Sequence, residues 1–220
     1  MNYALEQLYK QYEEHLNLKK TQSDFSNGYY LNTKDTNYKT GGIILYGQEP
    51  NGWAETFDSY PEGINDIINN RKNTLFCQKI QKVWEQNGLI NNIAKFSKKE
   101  NGKYPPVNPK DCFWNRMYAS FKYNETDGTI YQHELNILKP TKILLLCGPG
   151  RKQAIECAFG FEKGIPDNWI PHLNTEDCVK IFKSEEYKDI TFMYTLHPQA
   201  HMSAEIRQKY DNEIKEFLKL

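Results

Sequence analysis

The sequence of 220 residues lacks most features that mark a secreted, metal-binding or polyanion-binding protein. Its five cysteines are widely spaced and form no Cys-x-x-Cys pair, which argues against a disulfide framework and against a zinc or iron–sulfur cluster. Lys and Arg number 28, as do Asp and Glu, so no net charge attracts the chain to nucleic acid or to an anionic membrane. No apolar run approaches the roughly 18 residues of a membrane span, and the first residues show no signal-peptide pattern. We therefore expect a cytoplasmic monomer with no metal and no membrane partner.

Two features that often bind phosphate or metal are incomplete. The turn Gly148-Pro149-Gly150 precedes a predicted helix, but it lacks the Gly-Lys-Ser/Thr of a P-loop and is interpreted as a tight turn. His197 and His201 are four residues apart, but Pro198 prevents a helix there and no third ligand is evident. Neither feature predicts a nucleotide-binding loop or a metal site.

Continuous apolar runs alternate with amphipathic helical patterns. The apolar runs predict buried strands at 42–47, 112–114, 142–147 and 189–196. The helical patterns lie at 2–18, 64–70, 74–87, 130–138, 151–159 and 203–219. Strands separated by helices imply a parallel sheet with helices on both faces. We predict an α/β fold, a three-layer α/β/α sandwich with a central four-stranded parallel sheet, in one domain over residues 1–220 with residues 1–40 as an appendage.

Polar residues follow each predicted strand. They are Gln48-Glu49 after the first strand, Asn115 after the second, Gly148-Pro149-Gly150 after the third and His197 after the fourth. In an open parallel sheet these ends meet at one edge, where ligands bind. A carboxylate at the end of a buried strand is costly to desolvate, which makes Glu49 a candidate catalytic residue. A carboxylate, amides and an imidazole together suit hydrolysis.

Two short motifs at these strand ends resemble those of the uracil-DNA glycosylase superfamily. Gly47-Gln48-Glu49-Pro50-Asn51 resembles the first motif, Gly-Gln-Asp-Pro or a close variant, at the end of strand one. Leu196-His197-Pro198-Gln199 resembles the second motif, His-Pro-Ser, at the end of the last strand. Asn115 looks like the single Asn of the family's middle strand. The resemblance extends from about Gly42 to the C-terminal helix, and only these short motifs carry it.

The resemblance implies a monofunctional DNA glycosylase of DNA repair, which needs no cofactor and has DNA as its partner. Such an enzyme flips a nucleotide out of DNA and hydrolyses its N-glycosidic bond, releasing uracil or another damaged or modified base. Glu49 would then orient or activate water and offset the positive charge on the sugar. His197 would stabilise the negative charge that builds up on the leaving base.

The same resemblance assigns substrate-binding residues. Gln48 and Asn115 would hydrogen-bond the base, Asn51 stands where some branches use Tyr to exclude thymine, and Phe57 or Trp53 would stack on the base. Ser203, the predicted N-cap of the last helix, would place free backbone N–H groups near a DNA phosphate.

The sequence departs from the commoner family pattern at Glu49, where the most active branches have Asp, and at Asn51. The identity of the excised base therefore stays open. The alternative function is a catalytically inactive glycosylase-like module that binds nucleic acid or a protein partner. A third possibility is an unrelated α/β hydrolase or nucleotide-binding module with the same layout of strand ends.

Overall fold

The computed structural model describes residues 1–17, 30–48, 57–70, 74–95, 112–173 and 175–219. Its helices are α1 (Asn2–Leu16), α2 (Tyr60–Asn70), α3 (Leu75–Glu85), α4 (Cys112–Met117), α5 (Ile130–Leu138), α6 (Lys152–Phe159) and α7 (Ala204–Lys219). Its strands are β1 (Ile43–Gly47), β2 (Leu89–Asn92), β3 (Phe121–Tyr123), β4 (Thr126–Gly128), β5 (Lys142–Leu145), β6 (Val179–Phe182) and β7 (Thr191–Thr195).

The main sheet has five strands in the order β2-β1-β5-β7-β6. The first four strands of that order are parallel, and β6 pairs antiparallel with β7 at one edge. Strands β3 and β4 form a separate antiparallel pair. The predicted α/β class and parallel pairing are confirmed, whereas the sheet has one strand more than the four predicted.

The register of the sheet brings the carboxyl ends of its parallel strands to one edge. Gly47, the last residue of β1, is level with Asn92, the last residue of β2. Tyr46 is level with Leu145 of β5, which is in turn level with Tyr194 of β7. The residues that follow β1, β5 and β7 therefore emerge side by side, as the sequence predicted.

One predicted strand is wrong. The apolar run at 112–114 belongs to helix α4, so Asn115 lies on a helix and not after a strand. The strand beside β1 is instead β2, with the sequence Leu-Ile-Asn-Asn. Three apolar residues in a row have no period that distinguishes a strand from a helix, and β2 has only two apolar residues of its own.

Helix α1 packs its apolar face into the core. Within the helical pattern predicted at 2–18, the buried residues form one stripe of Leu5, Leu8, Tyr9, Tyr12 and Leu16. These side chains belong to the same hydrophobic cluster as the residues of the main sheet. The helix that begins the predicted appendage thus contributes to the core around the sheet.

Candidate functional site

The candidate site surrounds Gly47, where β1 ends at the carboxyl edge of the sheet. Backbone pairing with the chain after β2 continues past the strands, since Ile93 N–H donates to Gly47 O at 2.9 Å and Ala94 N–H donates to Gln48 O at 3.0 Å. On the other side, Leu146 N–H donates to Tyr46 O at 2.9 Å. These bonds fix the segments after β1, β2 and β5 relative to one another.

The ends of β5 and β7 are joined in the same way. Gly148 N–H donates to Thr195 O at 3.0 Å, and the Tyr194 hydroxyl donates to Gly148 O at 2.6 Å. Gly148 has a φ of +72°, a conformation that glycine adopts with little strain. A Cβ at Gly148 would lie 3.5 Å from His197 N. The tight turn predicted at Gly148 therefore brings the chain beside His197.

Asn92 has an unusual environment for a buried amide. Its side chain is fully buried, and neither Oδ1 nor Nδ2 has a hydrogen-bond partner in the part of the chain that the structure describes. Leaving a buried polar group without a partner costs about 1–3 kcal/mol. An amide offers one acceptor and two donors. The amide of Asn92 therefore has unused hydrogen-bonding capacity at the end of β2.

Phe76 and His197 form a stacked pair of rings beside Gly47. Their centroids are 5.5 Å apart and their planes are inclined by 25°. A Cβ on Gly47 would lie 2.9 Å from Phe76 Cζ and 2.7 Å from Asn92 Oδ1. Only a residue without a side chain allows this approach. Gly47, Gln48, Phe76, Asn92 and His197 are called the strand-end cluster below.

The hydrogen bonding of His197 determines which ring nitrogen carries the proton. Gln199 N–H donates to His197 Nδ1 at 3.3 Å, so the proton of the neutral ring is on Nε2. Desolvation by burial, together with the positive charge of Arg151, lowers the pKa of His197. A neutral imidazole with Nε2–H as a donor is therefore the form expected near neutral pH.

Gln48 uses its side-chain amide to connect two strand ends. Its Nε2 donates to Cys147 O at 2.5 Å, across the gap between the ends of β1 and β5. The amide nitrogen predicted to contact a base thus has a structural partner. Gln48 positions the edge of the cluster, while its Oε1 is a further acceptor there.

The other predicted site residues lie elsewhere or outside the described residues. Asn115 is exposed on α4. The ring of Phe57 packs against Tyr9 of α1, with centroids 6.1 Å apart, so its predicted stacking on a base stays a prediction. Ser203 is confirmed as the N-cap of α7, because its Oγ accepts from Ile206 N–H at 3.3 Å, and its contact with DNA phosphate stays a prediction. Glu49, Asn51 and Trp53 lie outside the described residues.

Sequence reasoning missed Phe76 and Asn92. The helical pattern predicted at 74–87 did not distinguish Leu75, which is exposed, from Phe76, which is half-buried. Two signals were available in the sequence. Phe76 is an aromatic residue beside the apolar stripe of a helix, and two Asn residues follow the apolar pair Leu89-Ile90. Neither signal is specific without knowing that β2 is a strand.

The glycine at position 47 provides a direct test of the cluster's packing. We expect Gly47→Ala to destabilise the protein by about 1–3 kcal/mol, because its methyl group would overlap Phe76 and Asn92. The matched control is Gly150→Ala, because a Cβ there meets no atom within 4 Å, and it should change stability by less than about 0.5 kcal/mol. Urea unfolding of both variants measures the difference. Equal stability of the two variants would contradict the close packing around Gly47.

The protonation of His197 provides a second test. NMR titration of its ring should give a pKa below the ordinary value of about 6.5, and Arg151→Gln should raise that pKa. Because the folded pKa is lowered, the unfolded chain binds the proton more readily. The stability that depends on neutral His197 is complete above about pH 6.5 and is lost as the pH falls through the folded pKa. A pKa at or above the ordinary value would contradict the assigned environment.

Comparisons with known proteins leave the chain without an assigned relative. No model of a protein family matches the sequence, and no curated protein matches it. In the described segments no helix is both long and apolar enough to cross a membrane, and no group of three or more His, Cys, Asp or Glu residues is arranged to hold a metal ion.

Proposed function

We propose that the protein is a monofunctional DNA glycosylase that hydrolyses the N-glycosidic bond of a base flipped out of DNA. One observation carries the proposal, namely the buried and unpartnered amide of Asn92 beside the stacked rings of Phe76 and His197. We propose that the fold that carries this activity is a three-layer α/β/α sandwich around four parallel strands. The complete burial of β1 and β2 supports that arrangement.

The strand-end cluster has the chemistry needed to hold a planar base. The ring of Phe76, which stacks on His197, is the proposed aromatic group beside the base, and base–aromatic stacking is worth about 1–3 kcal/mol. The amide of Asn92 can donate to a carbonyl oxygen and accept from a neighbouring N–H on the edge of a base. We therefore assign to Asn92 the base-binding role that the family resemblance implied for Asn115. The bases that fit are those with adjacent carbonyl and N–H groups, which include uracil and hypoxanthine.

His197 would stabilise the leaving base. As the N-glycosidic bond breaks, its electron pair moves onto the base and positive charge develops on the sugar. A neutral imidazole can donate Nε2–H to a base oxygen that becomes negative, which is the action of an oxyanion hole. The hydroxyl of a water molecule then bonds to the sugar carbon, and the proton of that water passes to a carboxylate that acts as general base. Glu49, which follows Gln48 in the chain, is the proposed acceptor of that proton.

A panel of modified oligonucleotides tests this proposal. Single- and double-stranded DNA carrying uracil, hypoxanthine, 5-hydroxymethyluracil or 8-oxoguanine is incubated with the protein and then treated with alkali. We expect strand cleavage at one or more modified positions, and only after alkali, because a monofunctional enzyme leaves an intact abasic site. Glu49→Gln should abolish the product, and His197→Ala should reduce the rate on the order of 100- to 1,000-fold.

The exposed His201→Ala is the matched control for His197→Ala and should keep wild-type activity. Absence of cleavage at every base, with DNA binding retained, would contradict the enzyme and support the inactive binding module. Absence of both cleavage and DNA binding would contradict both proposals.

A further inference from the structure

A fully buried polar network includes Asn91, the residue that precedes Asn92. Its four members are called the buried quartet below. They are Tyr9 on α1, Asn91 on β2, Lys95 in the segment after β2, and Glu134 on α5. Lys95 Nζ lies 2.9 Å from Glu134 Oε1, and both side chains are 0% exposed. The Tyr9 hydroxyl donates to Glu134 Oε1 at 2.5 Å, and Asn91 Nδ2 donates to Glu134 Oε2 at 3.0 Å. Both oxygens of the carboxylate therefore have protein donors.

Stability alone does not account for such a network. A buried ion pair must offset the desolvation of two charges, and well-packed apolar residues of the same volume often stabilise a protein as well or better. Burial, followed by the neighbouring Glu134 carboxylate, raises the pKa of Tyr9 well above its ordinary value, so its hydroxyl remains a donor. A fully satisfied network of this kind fixes the positions of the groups that it joins.

Asn91 connects the quartet to the strand-end cluster. Its Oδ1 accepts from Lys95 Nζ at 2.5 Å and also from the backbone N–H of Asn92 at 2.8 Å. The side chain of Asn91 is thus held at both ends, by Lys95 at its oxygen and by Glu134 at its nitrogen. Because the same oxygen accepts the Asn92 N–H, the ion pair constrains the peptide that carries the Asn92 side chain.

The Tyr131 hydroxyl fixes the backbone that follows Asn92 and leads to Lys95. Lys95 N–H donates to the Tyr131 hydroxyl at 3.5 Å, and that hydroxyl donates to Ile93 O at 2.5 Å. Ile93 and Ala94 are the residues whose N–H groups pair with Gly47 and Gln48. The path from the ion pair to the strand-end cluster therefore runs through hydrogen bonds at every step.

We propose that the buried quartet is a positioning device that fixes the orientation of Asn92 for base recognition, with Lys95 and Glu134 acting through Asn91. The expected effect on base excision rests on the proposed function, whereas the expected effect on the position of the Asn92 peptide does not. Lys95 and Glu134 are positioning residues, since the hydrogen bonds described above link them to Asn92 through Asn91. Loss of the network is expected to loosen the Asn92 peptide and to weaken selection of the base.

The test uses the double variant Lys95→Met/Glu134→Gln in the full chain. This pair of changes removes both charges, avoids an unpaired buried charge, and leaves one acceptor oxygen at position 134 where the carboxylate offered two. The control is Tyr12→Phe, which removes another buried tyrosine hydrogen bond on α1, to Met117 O at 2.6 Å, outside the quartet. Chemical unfolding of each variant first establishes that it is folded.

Two measurements are made on each variant. We expect hydrogen exchange of the Asn92 backbone amide to accelerate at least tenfold in the double variant, relative to the amides of β1. We also expect kcat/KM for base excision to fall at least tenfold while affinity for unmodified DNA is unchanged. Tyr12→Phe should change neither the exchange rate of Asn92 relative to β1 nor kcat/KM for base excision.

Each result decides the proposal. Faster Asn92 exchange with reduced kcat/KM supports it, and unchanged exchange in a folded double variant overturns it. Faster exchange with unchanged kcat/KM in an active enzyme overturns the role in recognition. If the wild-type protein excises no base, the proposed function fails, whereas the exchange measurement still decides whether the quartet holds Asn92.

Discussion

The parallel pairing of β1 with β2 and β5 is the constraint on which the rest of the site depends. It makes Gly47 level with Asn92 and continues beyond the strands through the bonds of Gly47 and Gln48 to 93–94. A slip of one residue in β2 would turn Asn92 to the opposite face of the sheet. The missing side chain at Gly47 then leaves room for Phe76 and Asn92 to approach each other. The arrangement of the strand-end cluster therefore follows from the register of the sheet and from one glycine.

Several polar side chains buried in or beside this sheet are hydrogen-bonded, whereas the Asn92 amide and the Tyr46 hydroxyl are not, in the part of the chain that is described. The Thr195 hydroxyl contacts Leu145 O at 3.3 Å and Leu196 O at 2.9 Å, and the Tyr210 hydroxyl donates to Leu196 O at 3.1 Å. Asn91 is held at both ends of its amide, whereas the adjacent Asn92 has no partner within the described residues. Two neighbouring asparagines thus differ in hydrogen bonding, because among the described residues the amide of Asn91 is engaged at both ends and the amide of Asn92 is not.

The sequence predicted the parts of the fold that long apolar runs encode. Strands β1, β5 and β7 were predicted close to their observed positions, because each has enough consecutive apolar residues to indicate two covered faces. The predicted cap at Ser203 is confirmed, since capping depends on local chemistry. Strand β6 was missed because it is a four-residue strand at the sheet edge in which only Phe182 is buried.

The candidate site was predicted less completely than the fold. Gln48 and His197 were placed correctly at strand ends, because each directly follows a long apolar run. Asn92 and Phe76 depend on tertiary contacts between β2, α3 and Gly47, which no local pattern contains. The sequence consequently led to Asn115, which follows an apolar run that was wrongly assigned as a strand. It did not lead to Asn92, which ends an observed strand.

The most direct measurement of the central claim compares Asn92→Ala with Asn115→Ala for both excision and stability. Removing an unpartnered buried amide should leave the free energy of unfolding unchanged or slightly higher, while removing about 1–3 kcal/mol of base recognition, or about 5- to 150-fold in kcat/KM. Asn115→Ala, on an exposed position, should keep wild-type kcat/KM. A stable Asn92→Ala variant with wild-type kcat/KM would contradict the claim that the strand-end cluster is the base-binding site.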